Sequence, residues 1–266
     1  MNKSKKLILK KFPFSLNSSS YKSNILGLIT LETDLTIEKE LNFFLTKDDI
    51  TYKKSKELFS LLHTRISCED EVNEEHLKEM EKNFSNALSY FPPNCKFNIV
   101  GYGCTSASVL IGEEKIEKII KKFVKTNHVT NPITSIKNAL KKLNSKKIGF
   151  LAPYKENITL KICNYLISHG FDVIEAVTFN ESRDSVVCNI SSQSILNSVE
   201  KLYNLNEEID TIIVCCTSLN FAPIIEKAER LFNINLISSN SAIAREMAKK
   251  SNLKISFEGK GNLYLH

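Results

Sequence analysis

A chain of 266 residues suits one large domain or two of ordinary size, and 42% hydrophobic with 25% charged residues is the composition of a globular protein. The net charge of +6 comes from lysines scattered over helical faces, not from a basic block interleaved with aromatics, which argues against a nucleic-acid partner. No run approaches the ~20 apolar residues of a membrane span, Leu7-Ile8-Leu9 is too short for a signal-peptide core, and seven cysteines without a regular framework point to a reducing, cytoplasmic setting.

In chain order, residues 1–23 read as a polar Ser/Asn/Lys-rich tail. A strand over 25–31 runs into a turn where Thr33 or Asp34 can cap a helix through Glu40, Leu41 and Phe44. The lysine-rich stretch 47–57 has no clear assignment. A strand is expected over 58–66, and a helix from Asn73 or Glu74 to Tyr90, stopped by Pro92-Pro93. A third strand leads into Cys104, and a helix covers 113–124. The pattern restarts at Pro132, with Thr134-Ser135 capping a helix to Leu143. A strand over 147–152 and a helix over 156–169, closed by Gly170, follow. Then come a strand over 172–179, a loop, a helix over 191–203, a strand into Cys216 and a helix over 222–232. A last strand, 234–237, turns at Ser238-Ser239-Asn240 into a helix over 241–250, ahead of a short mixed tail.

This alternation implies parallel sheets covered by helices. It also repeats: Gly27 lies in the first half's opening strand and Cys104 ends its third strand 77 positions on, while Gly149 and Cys216 do the same at 67 positions. The expected fold class is therefore α/β, with two pseudo-symmetric lobes and an active-site cleft between them. Each lobe would be a short parallel sheet flanked by helices. The expected lobes are residues 24–129 plus 240–266, and residues 130–239.

Both cysteines sit in the phrase Cys-Thr-Ser, after a β-branched run of strand length. Thr105-Ser106 and Thr217-Ser218 read as N-caps, which would set each thiol at the carboxyl end of a strand and beside a helix N-terminus. There a thiolate is stabilised and, in open α/β sheets, ligands bind. A low thiol pKa is expected at Cys104, and Cys104 and Cys216 are the candidate catalytic pair. Buried cysteines are more often inert; it is the paired occurrence that lifts these two. Cys215, its neighbour's alternate along the strand, should face the packing, and Cys68, Cys95, Cys163 and Cys188 read as incidental. No Cys-x-x-Cys or His-x-x-x-His spacing suggests a metal.

Several segments then fall into a known order: Gly27-Leu28-Ile29-Thr30-Leu31-Glu32-Thr33-Asp34-Leu35-Thr36, Tyr102-Gly103-Cys104-Thr105-Ser106-Ala107-Ser108 with Ile111-Gly112, Pro132-Ile133-Thr134-Ser135, Ala152-Pro153-Tyr154, Cys216-Thr217-Ser218-Leu219 and Ser238-Ser239-Asn240. From about Ile25 to Lys250 the chain resembles the aspartate/glutamate racemase superfamily. Within it, the chain is similar to the branch of maleate isomerase, arylmalonate decarboxylase and, above all, the ectoine-utilisation proteins. The resemblance implies an enzyme with no metal or organic cofactor. It implies that Cys104 attacks as a thiolate with Cys216 as acid/base partner, or that the two thiols work on opposite faces of one carbon. Arylmalonate decarboxylases keep only the second cysteine, so Cys104 argues against decarboxylation. Maleate isomerases carry Ser-Asn-Thr where this chain has Thr33-Asp34-Leu35, and a carboxylate there would repel a dicarboxylate.

The expected function is a cofactor-independent isomerase or racemase of a small carboxylate, maleate-like or an ectoine-derived amino acid. A malonate-type decarboxylase and a non-catalytic carboxylate-binding protein are the alternatives. Such chemistry needs a base near neutral pKa and donors for the developing charge. Thr105, Ser106, Thr217 and Ser218 could bind carboxylate oxygens. Tyr154 could donate a hydrogen bond, and Asp34 and Tyr102 complete the expected substrate contacts. Arg65 reads equally as a substrate contact or an ion pair, and Asn240 as a helix cap. The expected partner is the substrate alone, without nucleic acid or membrane; homo-oligomerisation stays open.

Overall fold

The computed structural model describes residues 9–15, 24–46 and 59–265. The unassigned stretch 47–57 and most of the expected tail lie outside the described residues. The first half contains β1 (Asn24–Leu31), α1 (Ile37–Leu45), β2 (Phe59–Ile66), α2 (Glu74–Ser89), β3 (Lys96–Gly103), α3 (Thr105–Ile111), α4 (Glu113–Phe123) and β4 (Lys125–Thr130). The second contains α5 (Pro132–Leu143), β5 (Ile148–Ala152), α6 (Glu156–Ser168), β6 (Val173–Thr178), α7 (Asp184–Val187), α8 (Ser192–Leu205), β7 (Thr211–Val214), α9 (Ile225–Phe232), β8 (Asn235–Ser238), α10 (Ser239–Lys250) and α11 (Asn262–Leu265). A single 3-10 turn, Ala222–Ile224, leads into α9.

The strands form two separate all-parallel sheets, ordered β2-β1-β3-β4 and β6-β5-β7-β8. The second order is the first shifted by four, so the expected duplication is present. The register agrees: Gly27 pairs with Val100 across β1 and β3, and Gly149 pairs with Ile212 across β5 and β7. The inner strands β5 and β7 are buried along their length and β1 nearly so, which is why they read as continuous apolar runs. The outer strands β2, β4 and β6 are mostly a mixture of exposed and half-buried positions. Sequence reading passed over β4, Lys-Thr-Asn-His-Val-Thr, because an edge strand this polar carries no apolar signal.

Three caps differ from expectation. Asn131, not Thr134-Ser135, caps α5: its side chain accepts the Thr134 N–H at 3.0 Å, with Pro132 as first helical residue. Ser238 caps α10 in a reciprocal capping box with Ser241, which places Asn240 inside the helix. Thr105 and Ser106 are the first residues of α3, whose N-cap is Cys104 itself.

α1 closes over the end of β3. A Cβ on Gly103 would lie 2.6 Å from Ile37 Cδ1, so glycine is what permits this approach. α10 packs on α1, α5 and β3. Polar bonds then tie the halves at the sheet ends. Thr36 Oγ1 donates to the Ser218 carbonyl at 2.9 Å, and the Glu40 carboxylate accepts the N–H groups of Phe221 and Ala222 at 2.6 and 2.7 Å. Among the described residues, no helix is long and apolar enough to cross a membrane.

Candidate active site

Cys104 follows directly from β3 and Cys216 lies two residues beyond β7, at equivalent ends of the two sheets. Both line one cavity, together with Ser106, Tyr154, Asp184 and Thr217. Cys68, Glu69, Glu71 and His76 complete its polar lining, and Leu31, Val72, Leu77 and Met80 its apolar wall. The cavity volume is about 20 Å³, little more than one water requires. The site is closed, and a substrate enters only if it opens.

Each sulfur has matching company. The Ala107 N–H points at Cys104 Sγ, and Ser106 Oγ lies 3.6 Å away. The Ser218 N–H and the Tyr154 hydroxyl face Cys216 Sγ and act to lower its pKa. One main-chain N–H and one hydroxyl thus face each thiol, an arrangement that favours its charged form. Burial outweighs these donors in the closed state. It pushes the Cys104 thiol up to about 12, with the Asp184 carboxylate adding a smaller push, and it raises Cys216 well above the ordinary thiol value. The low pKa expected at Cys104 is therefore not found: the helix N-terminus is present, but the sulfur is only 3% exposed. At Cys216 the expected helix is missing too, since residues 217–221 are non-helical and the 3-10 turn begins only at Ala222.

The backbone at Cys216 has φ +135°, where a non-glycine residue is strained. Its N–H donates to Ser239 Oγ at 3.1 Å, and Ser239 Oγ also meets Thr105 Oγ1 at 2.8 Å. Thr105 therefore belongs to a buried strut between the sheet ends, not to the cavity wall.

Three other expected substrate contacts also lie behind the wall. Asp34 is fully buried and accepts the N–H groups of Thr36 and Ile37 at 2.7 and 2.9 Å, capping α1. Tyr102 is buried beside Cys104 and packs on Phe84 at 4.8 Å between ring centroids. Ser218 Oγ donates to Asp184 Oδ1 at 2.9 Å. Arg65 does not reach the cavity. Its guanidinium donates to the carbonyls of Leu31, Glu32 and Asp34 and pairs with Glu38 at 3.1 Å. Asn240 is no cap: Nδ2 donates to Glu40 Oε2 at 2.9 Å and to the Thr217 carbonyl at 2.8 Å.

Among the lining residues, Asp184 was not singled out from the sequence and Cys68 read as incidental. Asp184 begins α7, a one-turn helix inside what read as a loop, and accepts Thr33 Oγ1 at 2.7 Å. Cys68 sits 3.5 Å from the same Thr33 hydroxyl. The Glu71–Arg183 bridge helps to bring these segments together, and local patterning gives no sign of it. That bridge is part of a clasp. Val72 N–H donates to Ser182 O, Asp184 N–H to Asp70 O, and the Asp70 carboxylate accepts both the N–H and the hydroxyl of Ser185 at 2.7 Å. Among the described residues, no cluster of three or more His, Cys, Asp or Glu side chains could hold a metal ion.

A family model described as arylmalonate decarboxylase matches residues 98–264. The maleate isomerase of Geobacillus stearothermophilus is 23% identical over 247 residues, covering 90% of this chain and 96% of that protein. Among solved structures, the maleate isomerase Iso of Pseudomonas putida S16 superposes with a TM-score of 0.81 at 17% identity, covering 91% of this chain and 98% of that one. Nocardia farcinica maleate cis–trans isomerase, as a Cys-to-Ser mutant with a covalently bound succinylcysteine intermediate, superposes with a TM-score of 0.78 at 20% identity, covering 91% and 98%.

Proposed function

The chain belongs to the arylmalonate decarboxylase family, and from that premise we propose that it is a cofactor-independent isomerase of a small carboxylate, worked by Cys104 and Cys216. The observation that carries this reading is the pairing itself: two thiols from equivalent strand ends line one cavity, each faced by one N–H and one hydroxyl. A binding protein has no need of a second thiol. The strained φ at Cys216 adds support, since strain of this kind gathers at functional sites.

For a cis–trans isomerisation, Cys104 as thiolate adds to one alkene carbon. The π electrons move to the neighbouring carbon, which takes the Cys216 proton. Rotation about the new single bond follows. Cys216 then recovers the proton, the C–S bond breaks, the double bond re-forms and Cys104 departs as thiolate. Ser106, at the cavity wall, offers a hydroxyl to a carboxylate oxygen, while Thr217 Oγ1, also in the lining, donates to the Gly103 carbonyl at 3.3 Å. The covalent succinylcysteine of the Nocardia farcinica relative is the kind of intermediate this sequence of steps requires.

Decarboxylation of a malonate-type acid is the second reading, favoured by the family's own name. The test is a panel of small carboxylates, including maleate, a phenylmalonate and chiral amino acids, followed by NMR in deuterated water. Geometric isomerisation, or deuteration at the α carbon without release of carbon dioxide, is expected. Carbon dioxide release from the malonate alone would overturn the isomerase reading, as would a panel left wholly unchanged.

A further inference from the structure

Tyr102 carries a hydroxyl with nothing to do in the resting molecule. The side chain is fully buried, and among the described residues its oxygen has no hydrogen-bond partner. Such a group is rare in a folded protein and unfavourable, and a phenylalanine would fill the same space without it. Its place in the fold suggests why it is there. Tyr102 lies in β3, and Cys104 continues that strand with an extended backbone, φ −146° and ψ 116°. Residues two apart on a strand share a face. The intervening Gly103 and the preceding Gly101 face the other way, towards Ile37 and Met247. On its own side the Tyr102 ring is fixed against Phe84 of α2, while Leu77 and Met80 of the same helix wall the cavity with Cys104. The hydroxyl is therefore set close enough to Cys104 to feel its charge, without a hydrogen bond to the neutral thiol.

A thiol sulfur is a weak acceptor, whereas a thiolate is a charged one and takes a stronger bond. Burial raises the Tyr102 phenol well above its ordinary value, so it keeps its proton to donate. The titratable groups in electrostatic contact with Cys104 are Asp184 of α7, Cys68 after β2, Tyr154 after β5 and Cys215 after β7. His76, Glu69 and Glu71 share the cavity wall. The Asp184 carboxylate opposes ionisation of Cys104, and the Ala107 N–H and Ser106 Oγ favour it.

Resting on the two-thiol reading above, we propose that Tyr102 is a positioning residue for the nucleophile: its hydroxyl waits unpaired beside Cys104 and donates to the sulfur once Cys104 is a thiolate. The phenol keeps its proton throughout, so no bond to it is made or broken. Because the interaction exists only in the charged state, it favours both the formation of the thiolate and its departure from an adduct. Tyr154 faces Cys216 from the other lobe, so each thiol then has a phenol of its own.

The experiment uses the full-length chain and Tyr102→Phe. Iodoacetamide modification of Cys104 is followed across pH 7 to 10 by peptide mass spectrometry, with Cys188 in the same sample as reference. The variant should modify Cys104 about 10- to 100-fold more slowly than wild type, the size of a hydrogen bond to a charged group. Its pH profile should move up by about one to two units. Its melting temperature should nevertheless stay level or rise by a few degrees, because an unpaired buried hydroxyl has been removed. Thr30→Val is the control. Its hydroxyl is equally buried and unpaired, on β1, so the variant should keep or gain stability while Cys104 reacts within about 2-fold of wild type. An unchanged Cys104 rate and profile in Tyr102→Phe would overturn the proposal and leave the two-thiol reading standing. So would a lowered melting temperature, which would mean that the hydroxyl is already bonded in the resting state. Slower alkylation in Tyr102→Phe with undiminished kcat on an acid that the wild type turns over would uphold the donor and count instead against Cys104 as a reacting group.

Discussion

Cys104 and Cys216 are equivalent residues of one repeated strand arrangement: each lies four positions beyond the residue paired with a glycine of the neighbouring strand, Gly27 in one sheet and Gly149 in the other. Their backbones differ. Cys104 is extended at φ −146° and starts α3, whereas Cys216 is held at φ +135° by a turn. Two like groups in unlike frames suit a pair whose members act from opposite sides of one substrate.

Alkylation of the unliganded protein should follow exposure, not catalytic identity. Cys95 and Cys188 are partly exposed, while Cys104 and Cys216 are buried. Iodoacetamide at neutral pH should modify Cys95 and Cys188 first, with Cys104 slower by about 10-fold or more because only the thiolate reacts. The Cys104 rate should go on rising with pH to 10 and beyond, as expected for a thiol pushed up to about 12. Peptide mass spectrometry reads this directly. Rapid, selective labelling of Cys104 at pH 7 would mean that the resting site is open.

The Asp70–Ser185 clasp predicts how opening is controlled. Asp70→Ala removes two hydrogen bonds to Ser185, together ~1–3 kcal/mol at a partly solvated site. Cys104 alkylation should accelerate by about 5- to 100-fold, with a fall of only a few degrees in melting temperature. An unchanged alkylation rate would show that the cavity opens by another route.

These two predictions depend on features that differ in how far the sequence announces them. The parallel sheets, the duplication and the convergence of Cys104 with Cys216 follow from apolar runs of strand length ending in a repeated phrase. Tyr154, Ser106 and Thr217 were legible because they flank those strand ends. Asp184 was not: a one-turn helix has no periodicity, and its role depends on Thr33, 151 positions away. Asp34, Thr105 and Ser218 were recognised as polar residues near the site, but burial makes them a second layer. The thiol pKa was misjudged for the same reason. A helix N-terminus can be read from sequence, but the depth of the cavity around it cannot.

Glu40 gives the protein a pH-dependent joint. Burial raises this carboxyl to about 7, while it accepts the N–H groups of Phe221 and Ala222 across the lobes. Its folded pKa exceeds the unfolded value, so its contribution to stability is fully present below about 4.5 and is lost as pH rises through 7. Glu229, also raised to about 7, acts in the same direction. Glu40→Gln should flatten the loss of stability between pH 5 and 8, by at most about 1.4 kcal/mol per pH unit. Urea unfolding across that range tests it. Equal slopes for wild type and variant would mean that Glu40 is ionised throughout.

Strain at Cys216 predicts an unusual substitution. Glycine accepts φ +135° freely, so Cys216→Gly should leave the melting temperature unchanged or raise it, the ~1–3 kcal/mol of relieved strain offsetting the lost packing. Cys163→Gly, in the middle of α6 and buried, should instead lower stability by ~1–3 kcal/mol. Thermal melts of the two variants side by side decide the matter; a fall at Cys216 as large as that at Cys163 would show no strain to relieve.

The central claim is that both thiols take part in the reaction. It is tested most directly by measuring kcat in deuterated water for wild type, Cys104→Ser and Cys216→Ser, on whichever acid the wild type turns over. Serine is nearly isosteric but a far weaker acid, so both variants should fold normally and lose about 10²- to 10⁴-fold in kcat, the usual contribution of a positioned acid or base. Full activity in Cys104→Ser would contradict the two-thiol account and return the protein to the single-cysteine chemistry of a decarboxylase.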